Sequence, residues 1–279
     1  NMHMHTGIGD AVIAAMDSFA VLFSHDEISF IPFFINGYSW GGQFGYHFAK
    51  WIPERMLGFI TQKGGYHDTT DAGDAIEVPG LMFVAENDLP YRIENLTGIF
   101  LDHRPLGAKW ILAMEQGVGH TQVTDNPFLD SFFNTVADLR LPVSMDVFQP
   151  ISLNTLQDPI GWLGNQDTWI IGDWDCYDGT VDSSSWFLTR EDGELWQNFV
   201  SEGKNSLKTQ KKQISAFFPY TDIVCIISFQ KNIGFDRWKS NPDASRVWRK
   251  SVHLPKPWIS MNINGFPLCL VRQHKGNPL

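Results

Sequence analysis

Ser39, Asp88 and His120 are the residues of this 279-residue chain whose types and order could carry out acyl transfer. Ser39 lies in Gly37-Tyr38-Ser39-Trp40-Gly41-Gly42, after the apolar run 30–35 and before residues 43–49, which read as a helix. Strand, sharp turn and helix form the context that gives G-x-S-x-G its meaning. The serine stands at the tip of a strained turn with its hydroxyl facing outward, and the glycines let strand and helix backbones approach without a clashing Cβ. The helix that follows points its first N–H groups at the place where an oxyanion would develop.

A serine nucleophile needs a base, and the base needs an orienting acid. The run Gly80-Leu81-Met82-Phe83-Val84-Ala85 reads as a strand and leads into Glu86-Asn87-Asp88. An acid just past a strand end suits the orienting role, with Asp88 placed better than Glu86. A further strand over 109–114 leads into Gly117-Val118-Gly119-His120, a glycine-rich loop able to turn the imidazole back over the sheet. Ser39 would then attack a carbonyl, His120 would take and return the proton, and Asp88 would hold the imidazole tautomer. The backbone N–H of Trp40 would supply one oxyanion donor.

These elements must be positioned by a sheet. Residues 57–62 read as another strand, and 95–108 and 126–139 as helices. From about residue 11 to 126 the chain resembles the α/β-hydrolase superfamily, particularly its bacterial esterase and polyhydroxybutyrate-depolymerase-like branch. The likeness is carried by Asn36 to Gly42, Lys63-Gly64-Gly65, Val84 to Asp88, and Gly117-Val118-Gly119-His120. In that superfamily the triad follows in the order Ser, Asp or Glu, His. The resemblance implies an α/β fold, a partial hydrolase sheet that is mostly parallel with helices on both faces. It also implies a serine hydrolase of carboxylic esters that works through an acyl-enzyme, without a cofactor or metal, on a small-molecule or polymeric ester. Only about a dozen residues, 66–78, precede the strand at 80–85, so no large cap is expected and the pocket should be open.

The chain departs from the family upstream of Ser39. The second oxyanion donor normally comes from a loop that precedes the nucleophile. Here residues 11–25 read as one amphipathic helix, with Val12, Ile13, Met16, Phe19, Ala20, Leu22 and Phe23 at helical spacing. No HGGG-like motif precedes it. The expectation is an N-terminally truncated hydrolase, impaired by a missing oxyanion loop and left with an exposed strand edge. The alternative is a permuted sheet in which the C-terminal region supplies the absent strands.

Charge divides the chain. Residues 1–203 hold 8 Lys and Arg against 28 Asp and Glu, whereas residues 204–279 hold 13 against 3. Three stretches are expected: 1–150 as the C-terminal part of a hydrolase domain, 151–203 as a Trp-rich accessory segment, and 204–279 as a basic tail. The tail's basic residues are scattered and carry no nucleic-acid motif, which argues against a nucleic-acid partner. Its clearest strand candidate is 222–229. The accessory segment holds Trp162, Trp169, Trp174, Trp186 and Trp196, with a loop expected over 154–164, an alternating strand over 167–174 and a helix over 191–200. Exposed, these indoles would make a non-catalytic carbohydrate-binding or interaction module, the alternative function; buried, they would form an accessory core. Asp173, Asp175, Asp178 and Asp182 lack the glycine of a calcium loop and read as solvated. His67 is expected near the sheet top, as a structural or pocket-lining residue. Asn95-Leu96-Thr97 fits a glycosylation sequon. Three widely spaced cysteines show no disulfide framework, and no apolar run reaches the length of a membrane span, so no membrane partner is expected.

Overall fold

Strands that are apolar along their whole length must be covered on both faces, and a parallel sheet with crossover helices does this. The computed structural model describes residues 3–202 and, beyond them, the backbone of three strands. After α1 (Ile8–Phe23) come β1 (Phe33–Tyr38), α2 (Trp40–Trp51), β2 (Met56–Gln62), β3 (Gly80–Ala85), α3 (Pro90–His103), β4 (Trp110–Glu115) and α4 (Pro127–Arg140). The first four strands pair in parallel in the order β4-β3-β2-β1. The fold is α/β, a mostly parallel sheet between helices, as expected of a partial α/β-hydrolase.

Alternation along the strands, shifted by one residue between Met56 and Gly58 of β2, splits the core in two. Phe33, Ile35, Phe59, Met82 and Trp110 pack with Phe19 of α1, Phe44 and Phe48 of α2, and Ile99 and Phe100 of α3. Phe34, Leu57, Leu81, Phe83 and Ile111 face the other way and pack with Phe128, Phe132 and Val136 of α4. Each such side chain contributes about 1.5–3 kcal/mol relative to exposure.

Element ends follow local chemistry. β1 begins after Pro32, which has no N–H to give a ladder, and runs straight into Ser39. α3 starts at Pro90 rather than at Asn95, because proline suits the first helical turn. The Asn126 side chain caps α4 by accepting from Phe128 N at 2.9 Å.

Residues 162–202 form β5 (Trp162–Gly164), β6 (Ile171–Asp173), β7 (Ser185–Phe187) and α5 (Arg190–Glu202), with the strands antiparallel in the order β6-β5-β7. The strand expected over 167–174 shortens to three residues, because Asn165 Oδ1 accepts Asp167 N and Thr168 N and makes a turn there. The loop expected over 154–164 ends in β5 instead. Its glycines make room for indoles: a Cβ at Gly161 would lie 2.0 Å from Trp186 Nε1, and one at Gly164 2.9 Å from Trp196. Trp186 and Trp196 are fully buried in the α4-side core.

β8 (Cys225–Phe229) pairs in parallel with β1; across the sheet β10 (Phe266–Arg272) pairs antiparallel with β8, and β9 (Trp258–Ile263) antiparallel with β10. The exposed edge expected beside the nucleophile strand is therefore not there. Cys225-Ile226-Ile227-Ser228-Phe229, rich in strand-forming residues, occupies it in the register Gly37↔Phe229. The region after Gly203, from which a permuted sheet would draw the second oxyanion donor, lies mostly outside the described residues. Among the described residues no helix is long and apolar enough to cross a membrane.

Candidate active site

Ser39 joins β1 to α2 with φ 56° and ψ −117°, a left-handed conformation that costs a non-glycine residue about 1–3 kcal/mol. The surroundings hold it there. Ser39 N donates to Gln62 O at 2.7 Å, and Ser39 O accepts Gly42 N at 3.1 Å and Gln43 N at 3.2 Å. The elbow glycines serve close approach. A Cβ at Gly37 would lie 2.1 Å from the Gly41 carbonyl, and one at Gly42 2.6 Å from Thr61 Oγ1. The strand-to-helix turn can be this tight only without those methyl groups.

The loop after β4 brings His120 to the serine. His120 Nε2 lies 3.1 Å from Ser39 Oγ, and His120 Nδ1 lies 2.7 Å from Asp88 Oδ2. The carboxylate at Nδ1 favours the tautomer with its proton there, which leaves the Nε2 lone pair facing the serine hydroxyl. Asp88 Oδ1 accepts Leu89 N at 2.8 Å and Arg92 Nη1 at 2.7 Å. Burial opposes the charge on Asp88. The hydrogen bonds from His120, Arg92 and Leu89 N outweigh it and hold the carboxyl below its usual range. Asp88 thus stays ionised beside the imidazole.

Several contacts fix the loop that carries His120. Tyr38 Oη donates to His120 O at 2.7 Å, and the two rings lie 4.8 Å apart. Asn87 N donates to Val118 O at 2.8 Å. Gly117, at φ 67°, donates its N–H to Glu86 Oε2 at 2.6 Å. Glu86 therefore braces the loop, and Asp88 is the acid on the imidazole. Lys63, at the end of β2 with its side chain fully buried, donates to the Glu115 carboxylate and to Thr121 O. It ties the ends of β2 and β4 to the residue after His120.

Sequence reasoning did not single out Lys63, Tyr38 or Arg92 for these roles. Arg92 had a readable signal, four residues beyond Asp88 at the start of a helix. Lys63 had none, since its partners are 52 and 58 residues away.

His67 is buried and hydrogen-bonded to Thr61 and Asn95, the structural role. Nε2 meets Thr61 Oγ1 at 2.8 Å, Nδ1 meets Asn95 Oδ1 at 3.0 Å, and burial pushes its pKa down to about 3. Asn95 also donates Nδ2 to His67 O at 3.2 Å, so the sequon nitrogen is used within the fold.

The surface around Ser39 is aromatic. Trp40 is 53% exposed and Tyr66 64% exposed. Trp40 and Tyr66 rings lie 6.5 Å apart, and Tyr66 and Tyr91 rings 5.1 Å apart. Of the five clustered tryptophans, Trp186 and Trp196 belong to the core and Trp162, Trp169 and Trp174 pack against it. Among the described residues Trp40 is the exposed indole.

No protein-family model and no curated protein sequence matches the chain. A crystal structure of a variant of SOBER1 from Arabidopsis thaliana is similar over 41% of this chain, with 18% identity and a TM-score of 0.32. The match spans 55% of that protein's chain.

Proposed function

We propose that this chain is a serine hydrolase that cleaves carboxylic esters. The observation that carries the reading is the continuous hydrogen-bonded chain from Asp88 through His120 to Ser39, with Ser39 held at positive φ on a strand-to-helix turn. Ser39 Oγ attacks the ester carbonyl carbon while His120 Nε2 takes its proton. The imidazolium that forms is stabilised by ionised Asp88. The carbonyl oxygen becomes an oxyanion, and Trp40 N–H receives it. This N–H belongs to the first turn of α2, where a helix leaves donors without intrahelical acceptors. Collapse breaks the bond to the alcohol, which leaves with the proton from His120. Water then attacks the acyl-serine, His120 again takes and returns a proton, and the acid departs.

Open surface around Trp40 supports small or polymer-end esters over long buried chains. The alternative reading, a binding module built on the Trp-rich segment, lacks an exposed indole there among the described residues. The test is hydrolysis of p-nitrophenyl acetate by the protein and by Ser39→Ala. Turnover lost in Ser39→Ala supports the reading, and turnover retained by that variant contradicts it.

A further inference from the structure

Trp40, Tyr66 and Tyr91 form a row of rings beginning one residue from Ser39. We propose that this row is the substrate subsite and that it selects esters carrying an aromatic ring. The inference rests on the serine-hydrolase reading and adds the substrate class.

Three observations carry it. First, the rings are exposed, with no covering element among the described residues: Trp40 is 53%, Tyr66 64% and Tyr91 37% exposed. Neighbouring rings are tilted by 38° and 31° at 6.5 and 5.1 Å, within the range of aromatic contact, so they form one continuous exposed aromatic surface. Second, the row is attached to the chemistry. Trp40 follows Ser39 as the first residue of α2, and Tyr91 lies in the same helical turn as Arg92, which holds Asp88. A ligand ring on the row is therefore anchored to the elements that fix the reacting groups.

Third, the polar groups bracketing the row are already engaged. Gln43 donates to Tyr66 O at 3.3 Å and accepts Gly65 N at 3.2 Å. Arg92 is paired with Asp88 and lies over the Tyr91 ring at 5.3 Å. A sugar platform needs polar partners around its rings for the hydroxyls, because unpaired hydroxyls are costly to desolvate. This row offers mainly ring faces and edges, which suits an aryl group. Offset or edge-to-face contact with such a group favours it over a saturated ring of equal size.

The test measures kcat/KM for matched pairs by titrating released acid. Benzyl acetate is compared with cyclohexylmethyl acetate, and ethyl phenylacetate with ethyl cyclohexylacetate. The aromatic member of at least one pair is expected to be preferred by about five- to tenfold. Tyr66→Ala should bring that ratio to about one, and Tyr66→Phe should keep it. Equal rates within both pairs, or a ratio unchanged in Tyr66→Ala, overturn the proposal. A protein that hydrolyses none of these esters contradicts the hydrolase reading instead, and binding then decides the subsite. Saturation-transfer NMR on Ser39→Ala should show stronger transfer to benzyl acetate than to cyclohexylmethyl acetate, and the excess should vanish when Tyr66→Ala is added. Equal transfer to the two, or stronger transfer to an acetylated methyl glucoside, overturns the subsite.

Discussion

The tips of β1, β3 and β4 and the Trp-rich segment at 162–202 use conspicuous residues in opposite ways. At the strand tips single residues, widely separated in sequence, meet at the surface: Ser39, Asp88, His120 and the exposed Trp40. In the Trp-rich segment five tryptophans close in sequence turn inward or pack against the core. Trp186 Nε1 donates to Asp158 O at 3.1 Å and Trp196 Nε1 to Leu112 O at 2.8 Å, so their polar atoms are satisfied as buried indoles require. A compositional cluster is a packing signal, whereas chemistry is marked by residue types at the ends of strands.

The largest effect expected from this contrast is on catalysis. Asp88→Asn keeps the shape of the site but favours the wrong imidazole tautomer. Ester kcat should fall by about 10⁴-fold, with the thermal midpoint little changed. A fall of less than tenfold would mean that the Asp88–His120 contact is structural only.

Next comes packing. Trp196→Ala should destabilise the fold by about 3–5 kcal/mol, read from urea denaturation. Trp40→Ala, at an exposed position, should stay within about 0.5 kcal/mol of the parent. Similar costs for both would erase the distinction between the two regions.

A smaller, pH-dependent effect separates His67 from His120. Its pKa is pushed down to about 3 by burial, so between that value and the ordinary histidine range the unfolded chain binds a proton that the folded chain does not. Stability from His67 is full above the unfolded pKa of about 6.5 and is lost as pH falls toward 3, by at most about 1.4 kcal/mol per pH unit. Equilibrium unfolding of the protein and of His67→Gln at pH 7 and pH 5 should show the variant losing less stability over that interval. An equal loss would place the acid sensitivity elsewhere.

Much of the sheet and the juxtaposition at its tips could be read from sequence. The reason is that β3 and its neighbours are apolar on both faces, and an elbow carries its own local signature. Gly37 and Gly42 were legible because their role is steric and local. The boundaries of α3 and β6 were not, since Pro90 and the Asn165 turn override the apolar pattern. Long-range partners were illegible for another reason. Lys63 reaches Glu115 and Thr121 only because the sheet order places β2, β3 and β4 side by side. The pairing of β8 with β1 likewise joins segments nearly two hundred residues apart, and no spacing rule announces it.

The most direct test of the account is labelling with an alkyl fluorophosphonate, which phosphonylates a serine only when a base has activated it. Intact-mass and peptide analysis should find one adduct per chain, on Ser39, formed at least a hundredfold more slowly in His120→Ala and absent from Ser39→Ala. An adduct on another residue, or an unlabelled Ser39 in folded protein, would contradict the assignment of Ser39 as the nucleophile.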